Sequence, residues 1–347
     1  LSMQGIMAVW PYDMPRYKDG PRPNQTTIFR GVVEQGSLTV EGPTGLGKGV
    51  VANVIATASA RKLGGPVYWI VPTRALVKQG ADEFQEFEVA YGRNEYPCAW
   101  AMEGFDPEPS RPVTSQELVQ LTTDPDAVKV SEVASMVCKR CPHYVDQETG
   151  TTNVSGVVEC PYYRQKFRVQ RAKKILCTMA FYIYRHVFLQ KKDRREAMPT
   201  ALVIDEVHQL ADVVRYSLSY DITDHHIQES IELLKRLEDT TTDEVAALKK
   251  FLRAMKGIAK GRGRKAKVEA LLDDDEIRRL IAILDPIDTD ALANKVRAAV
   301  ASGVIRPKED RVALKRLETL VRDIRRYVHA FMYATEWLDE KGEARGP

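Results

Sequence analysis

The sequence lacks the features that mark membrane-spanning and secreted proteins. No uninterrupted apolar run approaches the roughly 20 residues that a bilayer requires, and the chain does not open with a charged segment ahead of an apolar one. Only five cysteines occur in 347 residues, an odd number that argues against a disulfide framework. The net charge is only +3, so the overall balance does not indicate a nucleic-acid partner. We therefore expect a cytoplasmic protein without membrane association.

The composition that remains is typical of a globular protein with a sizeable core. Hydrophobic residues make up 44% of the chain, charged residues 29% and aromatic residues 8%. These proportions exclude a disordered tail, a collagen-like fibre and a disulfide miniprotein. The length suits two domains of ordinary size or one domain that carries large insertions.

Short β-prone stretches alternate with helical segments in the first part of the chain. The predicted strands are 37–41, Val67–Val71, Lys174–Thr178 and Ala201–Ile204. Helical patterns at 50–61, 75–86 and 180–189 follow the first three of them. Continuous apolar strands that alternate with helices indicate a parallel sheet covered on both faces. The sequence therefore predicts an α/β fold.

This alternation is interrupted once and then stops. Residues 94–173 hold four of the five cysteines and form an insertion. After about residue 215 the strands give way to helical periodicity. We expect 1–93 and 174–215 to be the two parts of the α/β domain, 94–173 to be the insertion, and 216–347 to be a helical subdomain.

A phosphate-binding loop is the clearest motif. Residues 42–48 read G-P-T-G-L-G-K, which matches G-x-x-x-x-G-K between a predicted strand and a predicted helix. Backbone N–H groups of such a loop surround phosphate oxygens, and Lys48 reaches the terminal phosphates. Gly49 stands where serine or threonine normally offers Mg²⁺ a hydroxyl ligand. The residues expected to hold the nucleotide are Gly42, Pro43, Thr44, Gly45, Leu46, Gly47, Lys48 and Gly49.

A second motif places two carboxylates at the end of an apolar strand. Residues 202–208 read L-V-I-D-E-V-H. At the carboxyl edge of a parallel sheet, Asp205 would hold Mg²⁺, directly or through water, and Glu206 would polarise the attacking water. A helix that merely begins with acidic residues would look similar. The presence of the phosphate loop favours the catalytic interpretation.

Four cysteines in the insertion have spacings that fit a metal site. Cys98, Cys138, Cys141 and Cys160 are separated by 39, 2 and 18 residues. Four thiolates suit an iron–sulfur cluster or structural zinc about equally, and buried cysteines without a ligand are a further alternative. His143, close behind Cys141, keeps a Cys₃His zinc site open.

Several of these motifs resemble the DEAH-type helicases of superfamily 2. Residues 205–208 form a D-E-x-H box, in which the resemblance gives His208 the role of coupling hydrolysis to the bound strand. Residues 71–79, V-P-T-R-A-L-V-K-Q, are similar to the motif that contacts the nucleic-acid backbone, which implicates Thr73 and Arg74. Residues 21–25, P-R-P-N-Q, are similar to the adenine-side R-P-x-Q segment and implicate Gln25.

The flanks of the cysteines resemble the XPD/DinG-type iron–sulfur helicases. Residues 91–98, Y-G-R-N-E-Y-P-C, are similar to a G-R-x-N-Y-x-C motif, and residues 159–163, E-C-P-Y-Y, are similar to the C-P-Y-Y that closes the cluster domain. The resemblance implies a RecA-like sheet, a [4Fe–4S] cluster held by the four cysteines, and an α-helical arch after the D-E-x-H box. Cys177 stands where relatives commonly show a T-N-H-like sequence, and we interpret it as a buried strand thiol.

The resemblance also implies partners. Basic and aromatic residues alternate after Cys160, and Tyr162, Arg164 and Arg168 are the candidates for contacts with single-stranded DNA, although a plain amphipathic helix would look much the same. Such helicases carry a second motor domain, and no second series of strands and helices follows Leu338, so we expect another domain or chain to complete the ATP site. The resemblance therefore also implies that the protein is located at the nucleoid, or in the nucleus if it is eukaryotic.

The leading hypothesis is thus the N-terminal part of an ATP-dependent DNA helicase with a [4Fe–4S] cluster, which in that family moves 5′ to 3′. The alternative is a non-catalytic module that responds to nucleotide and binds DNA or a protein. Gly49 favours the alternative, and the intact Glu206 opposes it. A redox-sensing DNA-binding protein is a third possibility.

Overall fold

The computed structural model describes residues 1–109, 111–188, 199–218, 224–237, 243–261, 274–284 and 287–320. The chain divides into two compact units. The first consists of Leu1–Gly92 and Tyr163–Ser217, and the second of Arg93–Tyr162 and Leu218–Pro347. No helix in the described ranges is both long and apolar enough to cross a membrane.

The first unit is built on a parallel sheet with helices. Its strands are β1 (Val67–Val71), β2 (Glu88–Ala90), β3 (Lys174–Thr178) and β4 (Ala201–Ile204). Its helices are α1 (Met3–Met7), α2 (Pro23–Gln35), α3 (Lys48–Leu63), α4 (Arg74–Glu83), α9 (Met179–Ile183), and all but the ends of α8 (Pro161–Val169) and α10 (Leu210–Leu218). A π-helical turn, Tyr184–Phe188, follows α9.

The sheet has the strand order β2-β3-β1-β4, and every pairing is parallel. Val71 pairs with Thr178 at the end of β3, and Ile70 pairs with Ile204 at the end of β4. The carboxyl ends of these strands therefore meet at one edge of the sheet. This confirms the α/β fold class with a parallel sheet.

Alternate residues of β1 enter two different cores, as the two-residue period of a strand requires. Trp69 packs with Phe29 and Val54 on one face of the sheet. Tyr68 packs with Cys177 on the other face. Both faces are therefore covered, and Cys177 is the fully buried strand thiol that the sequence predicts.

The predicted strand at 37–41 is wrong. These residues have no strand pairing and are exposed, with Leu38 at 37% and Val40 at 40%. An alternating sequence forms a strand only where a neighbouring strand accepts its hydrogen bonds. In the described part of the chain, β4 is an edge strand that pairs only with β1, and 37–41 do not pair with either edge of the sheet. Conversely, β2 was not predicted, because three residues are too few for a periodic pattern.

The second unit contains the cysteine segment and the helices that follow residue 217. Its helices in the cysteine segment are α5 (Ala99–Met102), α6 (Ser115–Thr122) and α7 (Ser135–Cys138). Those that follow are α11 (Asp224–Lys235), α12 (Asp243–Gly261), α13 (Asp274–Leu284), α14 (Thr289–Ala301) and α15 (Arg311–Thr319). These five helices lie within the predicted helical subdomain 216–347, which stays a prediction, and 321–347 lie outside the described residues.

Candidate functional site

The phosphate loop leads directly into α3. Gly45 and Gly47 have φ angles of 83° and 80°, a conformation that favours glycine. A Cβ atom at Gly47 would lie 2.6 Å from Gln25 Nε2, so a side chain there would displace its neighbour. The first backbone N–H groups of a helix have no partner within the helix, and the helix dipole places a partial positive charge at this end. The loop and the first turn of α3 are therefore suited to phosphate.

Gln25 holds this loop in place. Its side chain is 3% exposed, its Nε2 donates to Leu46 O over 3.0 Å, and its Oε1 accepts from Arg22 N over 2.9 Å. The Arg22 guanidinium donates to Gly45 O over 2.9 Å. The structure thus gives Gln25 a bracing role beneath the loop, while its contact with adenine stays a prediction.

Lys48 and Glu206 join the two motifs. Lys48 is the first residue of α3, and its Nζ lies 2.9 Å from Glu206 Oε1, just beyond the end of β4. The sequence separates them by 158 positions, and the fold brings them into contact. This contact puts the phosphate-binding cation beside the carboxylate that the sequence assigns to water activation.

The ion pair shifts both groups toward their charged forms. The hydrogen bond with Glu206 raises the pKa of Lys48 above its ordinary value. The same bond lowers the pKa of Glu206. Both side chains remain charged near neutral pH, so Glu206 is a carboxylate, and its ion pair with Lys48 makes it a weaker base than a glutamate without such a partner.

Asp205 and His208 flank Glu206. Burial, followed by the charge of Glu206, raises the pKa of the Asp205 carboxyl. Such a partly desolvated carboxylate gains from a nearby cation. His208 Nδ1 lies 3.4 Å from Glu206 Oε2, so Glu206 lies between Lys48 and His208. All four predicted catalytic residues therefore lie in one group.

Thr73 and Arg74 lie at the carboxyl end of β1. Thr73 caps α4, since its side-chain oxygen accepts from Leu76 N over 3.3 Å. Arg74 is exposed at the first position of α4. The carboxyl ends of β1 and β4 share an edge of the sheet, so these residues and the carboxylates lie along the same edge.

Helix α8 carries a cationic and aromatic surface. The guanidinium of Arg171 lies 3.6 Å from the centre of the Phe167 ring, and that of Arg164 lies 5.5 Å from the same ring. Arg168 is exposed and only distantly paired with Glu88, at 4.0 Å. Cations placed around an aromatic ring suit contact with phosphates and bases.

Tyr162 and Gln165 have other environments. The Tyr162 ring lies 6.1 Å from the Tyr96 ring and 5.7 Å from the Arg93 guanidinium, all within the second unit. Gln165 Oε1 accepts from Tyr91 N over 2.8 Å, and its Nε2 donates to Tyr91 O over 3.0 Å. Sequence reasoning missed this clamp, because a glutamine among basic residues resembles an ordinary surface position.

All four cysteines of the insertion are buried in the second unit, and none of them forms a disulfide. Burial, together with the charges of Cys138 and Cys160, raises the pKa of the Cys98 thiol to about 12. Burial and the charges of the other three raise the pKa of Cys141 as well. The pKa of each of these two thiols therefore depends on the charges of the neighbouring thiols, as expected for cysteines that lie in one group.

The thiols are not arranged around a single ion. Within the ranges that the structure describes, no three of the histidine, cysteine, aspartate and glutamate side chains converge tightly enough to hold one metal ion. A tetrahedral zinc site requires such convergence. A [4Fe–4S] cluster instead takes one cysteine on each of its irons, so its ligands stand at the corners of a larger body.

His143 is engaged elsewhere. Its Nδ1 donates to Val158 O over 2.7 Å, and its Nε2 lies 2.7 Å from Glu103 Oε2. Both side chains are 1% exposed, and Glu103 also accepts from Val113 N over 2.7 Å. Because both ring nitrogens of His143 have partners, His143 is not placed to be the fourth ligand of a Cys₃His zinc site. Glu103 was missed because its partner is 40 residues away in sequence.

Two segments of the chain match known family models. Residues 22–110 match the family model described as DEAD/DEAH box helicase, and residues 129–227 match the model described as DEAD_2. These two matches support assignment to a helicase superfamily. The first contains the phosphate loop, and the second contains the D-E-x-H box. No curated protein matches the chain.

Helicase-type domains use ATP and Mg²⁺ and hydrolyse the nucleotide. They generally bind nucleic acid. The contact between Lys48 and Glu206 agrees with this class, because it joins the phosphate loop to the carboxylate strand within the first unit.

Proposed function

We propose that this chain is the N-terminal part of an ATP-dependent DNA helicase of the XPD/DinG type. The proposal includes a [4Fe–4S] cluster and movement 5′ to 3′ along single-stranded DNA. The observation that carries it is the 2.9 Å contact between Lys48 and Glu206 in helicase-type segments. That contact assembles the phosphate-binding and water-activating groups of a nucleotide hydrolase.

Each catalytic side chain has one task in this proposal. Lys48 binds the terminal phosphates of ATP, and Glu206 accepts the proton of the attacking water. Asp205 would hold Mg²⁺, which supplies neutralisation of phosphate charge when bound. His208, beside Glu206, links the site to the edge of the sheet where Thr73 and Arg74 lie.

Cys98, Cys138, Cys141 and Cys160 are proposed to hold the cluster. Two observations support a common site for these thiols: all four are buried without a disulfide, and the pKa values of Cys98 and Cys141 depend on the charges of other members of the set. The choice of a cluster over zinc rests on the resemblance of the flanking residues. His143 is occupied by Glu103 and Val158. The cluster would supply a rigid anchor for the segment, and the four thiols would have to release their protons to bind it.

Single-stranded DNA is the proposed partner of α8 and of the Thr73–Arg74 strand end. The exposed Arg168 and the arginine pair around Phe167 support contact with phosphates and bases. Binding of this kind falls steeply with salt and shows little preference for sequence.

One observation favours a second candidate, a nucleotide-responsive module that grips DNA without turning over ATP. Gly49 offers Mg²⁺ no hydroxyl, so metal placement relies on Asp205, the phosphates and water. A Cβ atom at position 49 would meet nothing within 4 Å. The structure has room for the usual serine or threonine, so packing does not explain the glycine.

The test is hydrolysis by the 347-residue chain. We expect it to bind ATP but to turn it over slowly, because the Gly49 defect weakens Mg²⁺ placement and an arginine from a second motor domain can be worth about 10³ to 10⁵ in rate. Slow, DNA-stimulated turnover that Glu206→Gln removes supports the helicase proposal. Binding of ATP with no turnover, even after a second motor domain is supplied, supports the module instead.

A further inference from the structure

Glu318 is a buried carboxylate that contacts a helix far away in sequence. It lies on α15 and is 3% exposed. Its Oε2 accepts from Ser135 N over 2.9 Å, and its Oε1 accepts from Met136 N over 3.0 Å and from the Ser135 hydroxyl. Lys315 Nζ lies 3.1 Å from Oε2 and balances the charge. The sequence separates Glu318 from Ser135 by 183 positions.

These contacts replace a cap that α7 lacks. The residue before α7 is Ala134, which has no side-chain oxygen and makes no capping bond. The first N–H groups of a helix need acceptors, and a carboxylate at this end also interacts favourably with the helix dipole. Hydrogen bonds to a charged acceptor are stronger than neutral ones. Glu318, on α15, therefore provides the N-terminal cap of α7 that Ala134 cannot provide.

The capped helix carries a proposed cluster ligand. Helix α7 is a single turn that ends at Cys138, and Cys141 N donates to Cys138 O over 3.0 Å. Arg93 donates to Cys138 Sγ at the other end of the turn. Fixing the first turn of so short a helix fixes the thiol at its end. A second ion pair, Arg311 with Glu132 at 3.7 Å, ties α15 to the preceding segment.

We propose that Glu318 is a positioning residue for Cys138 and Cys141, and that it couples the helical subdomain to the cluster site. The inference rests on the proposed cluster. Displacement of α15 removes the cap, which loosens α7 and lowers retention of the cluster. Reciprocally, loss of the cluster loosens the surface that receives Glu318.

The experiment compares the full chain with Glu318→Ala, Glu318→Gln and Glu309→Ala. Glu309 is a matched control, since its side chain is 63% exposed and pairs only with the nearby Arg306 among the described contacts. Two quantities are measured on anaerobically purified protein. One is the rate at which a chelator removes iron, followed by visible absorption. The other is backbone hydrogen exchange at 135–138, measured with and without iron.

We expect Glu318→Ala to release iron about tenfold faster and to speed exchange at 135–138, because a lost cap and orphaned N–H groups destabilise the turn. Glu318→Gln keeps one acceptor oxygen and should fall between, which keeps the test usable if the alanine variant does not fold. Glu309→Ala should match the parent chain.

Three outcomes separate this inference from the proposed function. If the parent chain holds iron and both Glu318 variants release it at the parent rate, the coupling is overturned and the cluster stands. If the parent chain holds no iron, the cluster proposal fails. Hydrogen exchange in the metal-free Glu318 variants then tests whether Glu318 stabilises α7. Faster exchange confined to 135–138 supports this role, and unchanged exchange overturns it.

Discussion

Glu206 adopts a left-handed backbone conformation, with φ of 51°, which costs a residue with a side chain about 1–3 kcal/mol. The conformation aims its carboxylate at Lys48 and His208. Glu206 N donates to Asp205 Oδ1 over 3.0 Å, which helps to fix the turn. The strained residue is thus the proposed base, and Lys48 holds it before nucleotide binds.

The ion pair implies competition with ATP. Nucleotide phosphate must draw Lys48 away from Glu206, so Glu206→Gln should raise ATP affinity. The gain should reach up to about fivefold, since an ion pair of this kind, whose side chains are 33% and 30% exposed, is worth about 0.2–1 kcal/mol. Equilibrium titration with labelled nucleotide measures this, and Glu34→Gln on the exposed part of α2 is the control. Weaker binding by Glu206→Gln would show that the carboxylate assists ATP instead.

The pH dependence follows from the same pair. The pKa of Glu206 is lowered in the folded chain, so the stabilisation it contributes is present above the ordinary glutamate pKa and disappears as pH falls through the lowered value. At neutral pH the pair is intact, and the competition should be measured there.

Gly49 gives a second prediction at this scale. Gly49→Ser and Gly49→Ala both fill open space and should both stabilise α3 slightly, by roughly 0.5–1 kcal/mol, because glycine is a poor helix residue. Only the serine offers Mg²⁺ a hydroxyl. We therefore expect Gly49→Ser to raise the Mg²⁺-dependent hydrolysis rate above that of Gly49→Ala, in the presence of a second motor domain. Equal rates would mean that Mg²⁺ placement does not limit turnover.

At the scale of elements, helix α8 is the part whose function is least fixed by its sequence. One face buries Tyr163, Gln165 and Val169, as in any amphipathic helix. The other face carries Arg164, which lies over Phe167, and the exposed Arg168. The second face therefore combines cations with an aromatic ring, which suits a partner that has both phosphates and stacking surfaces.

The double variant Arg164→Ala and Arg168→Ala tests that face. We expect affinity for single-stranded DNA to fall by about tenfold or more at low salt, with a smaller slope of affinity against salt concentration, because two phosphate contacts are removed. Lys18→Ala with Arg30→Ala is the control, since it removes the same charge from exposed positions of the first unit. Equal losses of DNA affinity in the two double variants would show that the change in overall charge alone explains the effect.

The elements also show what the sequence could predict. Apolar runs such as Val67–Val71 gave strands with the correct bounds, because burial on both faces leaves a continuous pattern. The stretch 37–41 has an alternating pattern but no neighbour, and its fate depends on pairing that local sequence does not encode. The glycine pattern predicted the phosphate loop. The hydrogen bond from Gln25 to Leu46 O could not be predicted, because it depends on how the fold places α2 against the loop.

At the scale of the whole molecule, residues far apart in sequence complete each site. In the first unit, Lys48 meets Glu206, and in the second unit, Glu318 meets Ser135. The two motifs predicted that Lys48 and Glu206 serve one nucleotide site, but not that their side chains contact each other. Nothing in the local sequence predicted the second, since a glutamate on a helix surface resembles any solvated charge.

Metal analysis of the anaerobically purified chain is the decisive test of the proposed cluster. We expect brown protein with about four irons per chain and matching inorganic sulfide. Cys138→Ser should lose the iron, whereas Cys177→Ser should keep it, because Cys177 lies in the sheet core of the other unit. Colourless protein that holds stoichiometric zinc, or iron that survives Cys138→Ser, would contradict it.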